Sequence, residues 1–418
     1  MKPVAPRFGS FDVHPDPVDT PGHYFPQGGI TVRKLFVLCA LAALGAALLT
    51  TTGSAAAKPA GACGAQAHPE GNDRFGGVIR AQSIASTSAC ARTAGDPAGG
   101  TPPLLYQGGP VMANTASAPL TVTPIFWNPT GHSMPGSYKD LLKKYLQDVA
   151  VASGSNTNVY STNTEYFGSN GSIGYNIRLG RAIDDKHAMP PSGCTVASND
   201  TTNIYSDGSG YDYCLDDAQL TDEIQRNIDA GHLPQDDYSH IYVIFTAKHV
   251  ESCFNPGDTT STAGNQACTI NHQPTAAYCA YHSMMGPNWP LDGTIYANMP
   301  YPIIHSPVGY TCGSDAGGHT AQSPNRNLDA DTETSPTSHE ISEAITDPNV
   351  FNGWIDSTGY ENGDECAYVY GAMVGKPGQM YNQVINKHHY LTQEEFSNTD
   401  YANTAGAGGC VQSESAVG

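Results

Sequence analysis

Charge is what this 418-residue sequence has least of, with Asp, Glu, Lys and Arg making up only 14% of it. Cations are the scarcer sign: 19 basic residues stand against 39 acidic ones, a formal net charge of -20. A chain so poor in cations cannot neutralise a phosphate backbone or an anionic bilayer, which excludes nucleic acid and acidic membrane surfaces as partners. There is no CxxC pair, so a cysteine zinc site has no ligands. There is no GxSxG elbow and no phosphate-cradling glycine loop, which removes the support for a serine hydrolase of that type or a nucleotide enzyme. Internal repeats are missing too. The longest apolar run, 35–49, is short for a membrane span.

What is present is a loop-rich chain with 45 Gly and 30 Pro, yet 39% hydrophobic, enough for a sizeable core. Arg33 and Lys34 precede the apolar run, and Ala55 and Ala57 follow it at cleavage-site spacing. That is the pattern of a secretory signal. Residues 1–57 are therefore read as a spurious N-terminal extension plus signal peptide, with translation starting near Val32. The alternative is a membrane anchor with a short cytosolic tail. Cleavage after Ala57 removes Cys39 and leaves ten of the 11 cysteines, an even number suited to disulfides in an exported chain. Spacing favours Cys194 with Cys214, and Cys253 with either Cys268 or Cys279. Residues 58–103, rich in Ala, Gly, Ser and Pro, read as a flexible leader or propeptide. Residues 104–418 read as a single domain and a monomer.

Periodicity outlines that domain. Residues 119–127 and 240–247 read as core strands, 173–183 as a further strand, and 294–302 as an edge strand ended by Pro300 and Pro302. Tyr138, Leu141, Leu142, Tyr145, Leu146 and Val149 recur at helical spacing, as do Leu220, Ile224 and Ile228. The alternation of strands and helices predicts a mixed α/β fold with helices on one face or both.

The stretch TSHEISEAITDP, 337–348, carries the chemistry. Ser335 is expected to cap a helix that Pro336 opens and Asp347-Pro348 ends. On such a helix His339 and Glu343 share a face, their Cβ atoms about 5–6 Å apart, close enough to hold one ion. Glu340 stands beside His339, placed like the general base of an HExxH zinc protease. Glu343 replaces that motif's second histidine. The acidic segment GYENGDEC supplies Glu361 as a third ligand and Asp364 as a partner that orients the imidazole. Two carboxylates and one imidazole suit Zn²⁺, with Mn²⁺ and Ca²⁺ as alternatives. The bland alternative is an exposed helix with an i,i+4 His–Glu pair. His282, in CAYHS, would aid a reacting oxyanion or serve structure. Residues 327–335 offer oxygens for Ca²⁺ but lack the EF-hand glycine and spacing.

GGPV (108–111), CAYHS (279–283), YANMPYP (296–302), SHEISEAITDP, ENGDEC (361–366) and YLTQEEFSN followed by Cys410 together resemble the phosphate-induced, EXORDIUM-like family of secreted proteins, in its microbial branch. The resemblance covers about residues 104–412. It implies secretion, a zincin-like, disulfide-stapled fold and an association with the cell wall. It carries His339, Glu340, Glu343, Glu361 and Asp364 over by position. The functional expectation is a secreted zincin-like metallohydrolase, a metallopeptidase, in which Glu340 acts on a metal-activated water. Tyr296, Ala297 and Asn298, with His282, would bind an extended extracellular peptide. The alternative is a non-catalytic protein that binds a cell-wall polymer.

Overall fold

The computed structural model describes residues 75–76, 82–83, 100–112, 118–196, 200–205, 207–234, 238–253, 268–269, 278–286, 293–304, 310–314, 321–349 and 352–414. All fall within one compact unit, Lys58–Gly418. The expected extension and signal, 1–57, lie outside the described residues. Within 58–103, two short strands are described: Phe75–Gly76 pairs with Ser283 and His282, and Gln82–Ser83 pairs with Tyr310–Thr311.

A seven-stranded mixed sheet forms the centre. β1 (Leu120–Trp127) leads into α1 (Gly136–Val151), which returns to β2 (Ile177–Leu179) and β3 (Ile183–Asp185). β2 and β3 both pair parallel with β1, at residues 120–122 and 125–127. The sequence reads 173–183 as one strand; the break lies alongside Pro124, which has no N–H to donate to a ladder. α2 (Asp217–Asp229) follows, its N-terminus held by a capping box between Asp216 and Gln219. It leads to β4 (His240–Thr246), parallel to β1 and buried from Ile241 onward. A continuous apolar run suits such a strand, covered on both faces.

β5 (Tyr281–Met285) and β6 (Thr294–Met299) complete the sheet. The expected edge strand is not an edge. β6 runs parallel to β4 on one side and antiparallel to β5 on the other, and the Phe75–Gly76 strand lies beyond β5. Sequence shows how a strand ends, not how many neighbours it has.

Side chains alternate across a strand, so the register fixes which face each one meets. Tyr281 and Ser283 share a face with Asn298 and Tyr296. The hydroxyls of Tyr281 and Tyr296 both donate to Asp217 Oδ1 at the start of α2. His282 and Ala297 point the other way, towards α3 (Leu328–Thr346). Helices therefore cover both faces of the sheet.

α3 begins eight residues earlier than expected, its cap at Asn327 and not at Ser335. Asn327 caps it, accepting from Ala330 N, and Pro336 sits inside. Every residue from Ala330 to Thr346 is buried, polar ones included. A helix buried all round by Thr, Ser and Glu has no apolar stripe, which is why its first half reads as loop or calcium ligands.

Four disulfides staple the described residues: Cys194–Cys214, Cys253–Cys268, Cys279–Cys312 and Cys366–Cys410. Cys253 thus takes Cys268, leaving Cys279 to Cys312. Cys63 and Cys90 lie outside the described residues. No described helix is long and apolar enough to cross a membrane.

A candidate metal centre

Three pieces of chain converge beneath the sheet. α3 presents His339, Glu340 and Glu343; β5 presents His282; and α4, the single turn Asn362–Glu365, brings Asp364 along with the preceding Glu361. The turn must come very close. A Cβ on Gly363 would lie 2.7 Å from His339 Nδ1 and 2.9 Å from Glu343 Oε1, so only glycine fits there. Asp364 N donates to Glu343 Oε1 at 2.9 Å, which locks the turn onto the helix. The Cys366–Cys410 bridge follows immediately.

Two groups of donors form, and Glu343 belongs to both. His339, Glu340 and Glu343 each offer a ligand atom within 4.8 Å of the others, and so do His282, Glu343 and Glu361. Glu361 thus stands with His282, whereas the sequence pairs it with His339. His339 Nε2 lies 2.9 Å from Glu343 Oε1 and 3.7 Å from Asp364 Oδ1. The 2.9 Å contact lacks hydrogen-bond geometry, since Nε2 has no hydrogen-bond partner. Two donors on one ion, each about 2.0–2.2 Å from it, lie roughly 2.8–3.6 Å apart at tetrahedral to right angles. The pair fits that spacing.

The two imidazoles are held differently. His282 Nε2 lies 3.2 Å from the carbonyl of Asp347, which can only accept, so Nε2 carries a proton. Nδ1 then faces Glu340 Oε2 at 3.3 Å and Glu343 Oε2 at 3.7 Å. A histidine that gives one ring proton to a backbone carbonyl and turns the other nitrogen to carboxylates has the form of a metal ligand. For His339, the tautomer rests with Gln393. Its amide nitrogen lies 2.8 Å from His339 Nδ1 and 2.7 Å from Gly363 O. In that orientation the neutral ring keeps its proton on Nε2. Ligation through Nε2 needs the amide rotated, so that Gln393 Oε1 accepts the Nδ1 proton, at the loss of the bond the amide donates to Gly363 O.

Burial governs the electrostatics. His282, His339, Glu340, Glu343 and Glu361 are all 0% exposed. Burial pushes the Glu343 carboxyl well up, with Asp347 adding to it. Glu361 is pushed up by burial, then by Glu343, Asp347, Asp364 and Glu340. Burial lowers His339 to about 4 against the pull of Asp364 and Gln393. Each shift reports an enclosure that rejects uncompensated charge, which a cation would supply. Neither oxygen of Glu361 has a hydrogen-bond partner. Neither Glu343 nor Glu361 meets a lysine or arginine among the described residues.

Two residues join the cluster unannounced by the sequence. Glu395 is fully buried, with neither carboxylate oxygen hydrogen-bonded. Burial raises it, and so do Glu343 and Asp364. Gln393 is the other. Both lie in YLTQEEFSN, where an acidic pair beside a strand gives no hint that it turns inward. Glu365, also in the acidic segment, is raised to about 10 by burial and by Asp356.

The expected substrate residues are not at the centre's mouth. Tyr296 and Asn298 face α2, and Asn298 Nδ2 donates to Ser252 Oγ at 2.9 Å. Ala297 lies opposite His282 on the centre's face, but all three are 0% exposed and paired on both sides, so no peptide can add to them. An open pocket of about 480 Å³ lies at the start of α3, against Ser137, Arg326 and Asp329. Ten residues of helix, roughly 15 Å, separate Asp329 from His339. Two further groupings, Cys194 with Cys214 and Cys253, and Glu251 with Cys253 and Cys268, take their sulfurs from disulfides and offer no thiolate. No family model, curated protein or solved structure matches this chain.

Proposed function

We propose that this chain is an exported, zincin-like metalloprotein whose buried centre holds a divalent cation, and that the cation supports hydrolysis of peptide bonds. The convergence of His339 Nε2 and Glu343 Oε1, 2.9 Å apart without a hydrogen bond, carries the metal-binding half. The donors fit the group: imidazole and carboxylate, enclosed, with neither Glu361 oxygen hydrogen-bonded. The hydrolytic half rests on the HExxE helix; the resemblance to the EXORDIUM-like family supports the zincin-like fold and export. Four disulfides support export.

His339 and Glu343 would hold the ion, Asp364 and Gln393 would fix the His339 ring, and Gly363 lets the acidic turn approach. A divalent cation held here would supply the acidification of a bound water molecule. Glu340, adjacent to His339, would take the proton.

Complete enclosure of the donors favours a second reading, in which the ion is structural and the exterior binds a cell-wall polymer. The two are separated by metal analysis of the purified protein together with turnover of casein or a peptide library, wild type against Glu340→Gln. Hydrolysis requires bound metal, measurable turnover and its loss in Glu340→Gln. Metal without turnover, with retention on insoluble wall polymer, selects the structural reading. Metal-free protein overturns both.

A further inference from the structure

We propose that the centre holds two cations side by side, bridged by Glu343, with His282 as the imidazole of the second. This builds on the metal-centre reading above and adds a site which that reading does not contain.

The carboxylate of Glu343 faces two ways. Oε1 lies 2.9 Å from His339 Nε2, whereas Oε2 lies 3.7 Å from His282 Nδ1. The two groups of donors have Glu343 in common and place the two histidines apart. A carboxylate that offers one oxygen to each of two ligand sets is a bridge. Ions so bridged sit about 3.5–4 Å apart in two-metal sites.

The second position has its own unmet demand. Glu361 is 0% exposed, and neither of its oxygens has a hydrogen-bond partner. Its nearest recorded contact is His282 Nε2, 3.7 Å from Oε1 and beyond hydrogen-bond distance, so a cation answers the geometry better. His282 Nδ1, with the ring's proton committed to the Asp347 carbonyl, turns a lone pair towards Glu340 Oε2 at 3.3 Å. A lone pair set against carboxylate oxygens is repulsive unless positive charge lies between them. Charge points the same way: Glu340, Glu343, Glu361, Asp364 and the buried Glu395 bring five negative charges when ionised, more than one divalent cation balances. An oxygen-rich set with one imidazole per ion suits Mn²⁺ or Zn²⁺. The competing arrangement is a proton shared in the His282 Nδ1–Glu340 Oε2 hydrogen bond, on either residue.

The test uses the full exported chain with its disulfides intact. It is stripped with chelator, titrated with Mn²⁺, and measured by elemental mass spectrometry and electron paramagnetic resonance. Two equivalents per chain and an exchange-coupled pair signal are expected. His282→Gln and Glu361→Gln should each fall to one equivalent and give the six-line signal of an isolated ion. One equivalent in the wild type, or a His282→Gln protein that still binds two, overturns the second site while leaving the first standing. No metal in any form overturns the centre itself. Near-UV circular dichroism checks that the variants fold, and the wild-type stoichiometry decides even if they do not.

Discussion

Gly363 is the residue on which the centre's geometry turns. Its missing Cβ allows the acidic turn to reach within contact distance of His339 and Glu343. Gly363→Ala should force those side chains apart and weaken metal binding roughly 10–100-fold, the usual effect of disturbing the groups that orient ligands. Chelator competition measures this, with far-UV circular dichroism near wild type. Glu251 tests enclosure away from the centre. It is 3% exposed, and burial followed by Asp200 raises it to about 8. In the unfolded chain a glutamate titrates near 4.3. The folded form therefore holds a proton that the unfolded form releases. The stability this provides is complete below about pH 4.3 and is lost as pH rises through 8. Glu251→Gln removes that loss. Its melting temperature should match wild type near pH 4 and exceed it by several degrees at pH 9; equal curves at both values would contradict the assignment. At this scale the sequence disclosed His339, Glu340 and Glu343, because helical spacing puts them on neighbouring positions. It concealed Glu395 and Gln393, whose inward direction depends on packing 50 residues further along.

Among the elements, α1 and α2 were legible from their apolar stripes. Of the residues the periodicity picks out, Tyr138, Leu142, Tyr145, Leu146 and Val149 in one and Leu220, Ile224 and Ile228 in the other are buried, and Leu141 is half-buried. The α2 capping box gives a direct test. Asp216 accepts from Gln219 N at 2.9 Å, and Gln219 Oε1 accepts from Asp216 N at 3.0 Å. Asp216→Ala should cost about 1 kcal/mol in urea unfolding, with metal content unchanged. α3 was half legible, since its polar first turns lack a period. β6 was legible as a strand but misjudged as an edge, because its neighbours come from residues far away in sequence. That one topological fact removes Tyr296 and Asn298 from any substrate groove.

For the molecule as a whole, enclosed cations would tie stability to metal. Binding to the folded form alone adds about 4 kcal/mol when free ion exceeds its dissociation constant a thousandfold. Chelator should therefore lower the melting temperature by several degrees, and Zn²⁺ or Mn²⁺ should restore it. The Cys366–Cys410 bridge anchors the chain just after the acidic turn. Replacing both cysteines by alanine should cost about 2–5 kcal/mol and release metal more readily. Unaltered metal retention would separate the bridge from the centre.

The sequence by itself determined the strand and helix alternation, the disulfide-rich character and the helical triplet His339, Glu340 and Glu343, because each depends on residues close together in the chain. Only the tertiary structure decided that β6 is interior, that His282 rather than His339 meets Glu361, and that the whole cluster is shut from solvent. These are contacts between segments tens of residues apart, fixed by sheet register and by the close approach that Gly363 permits.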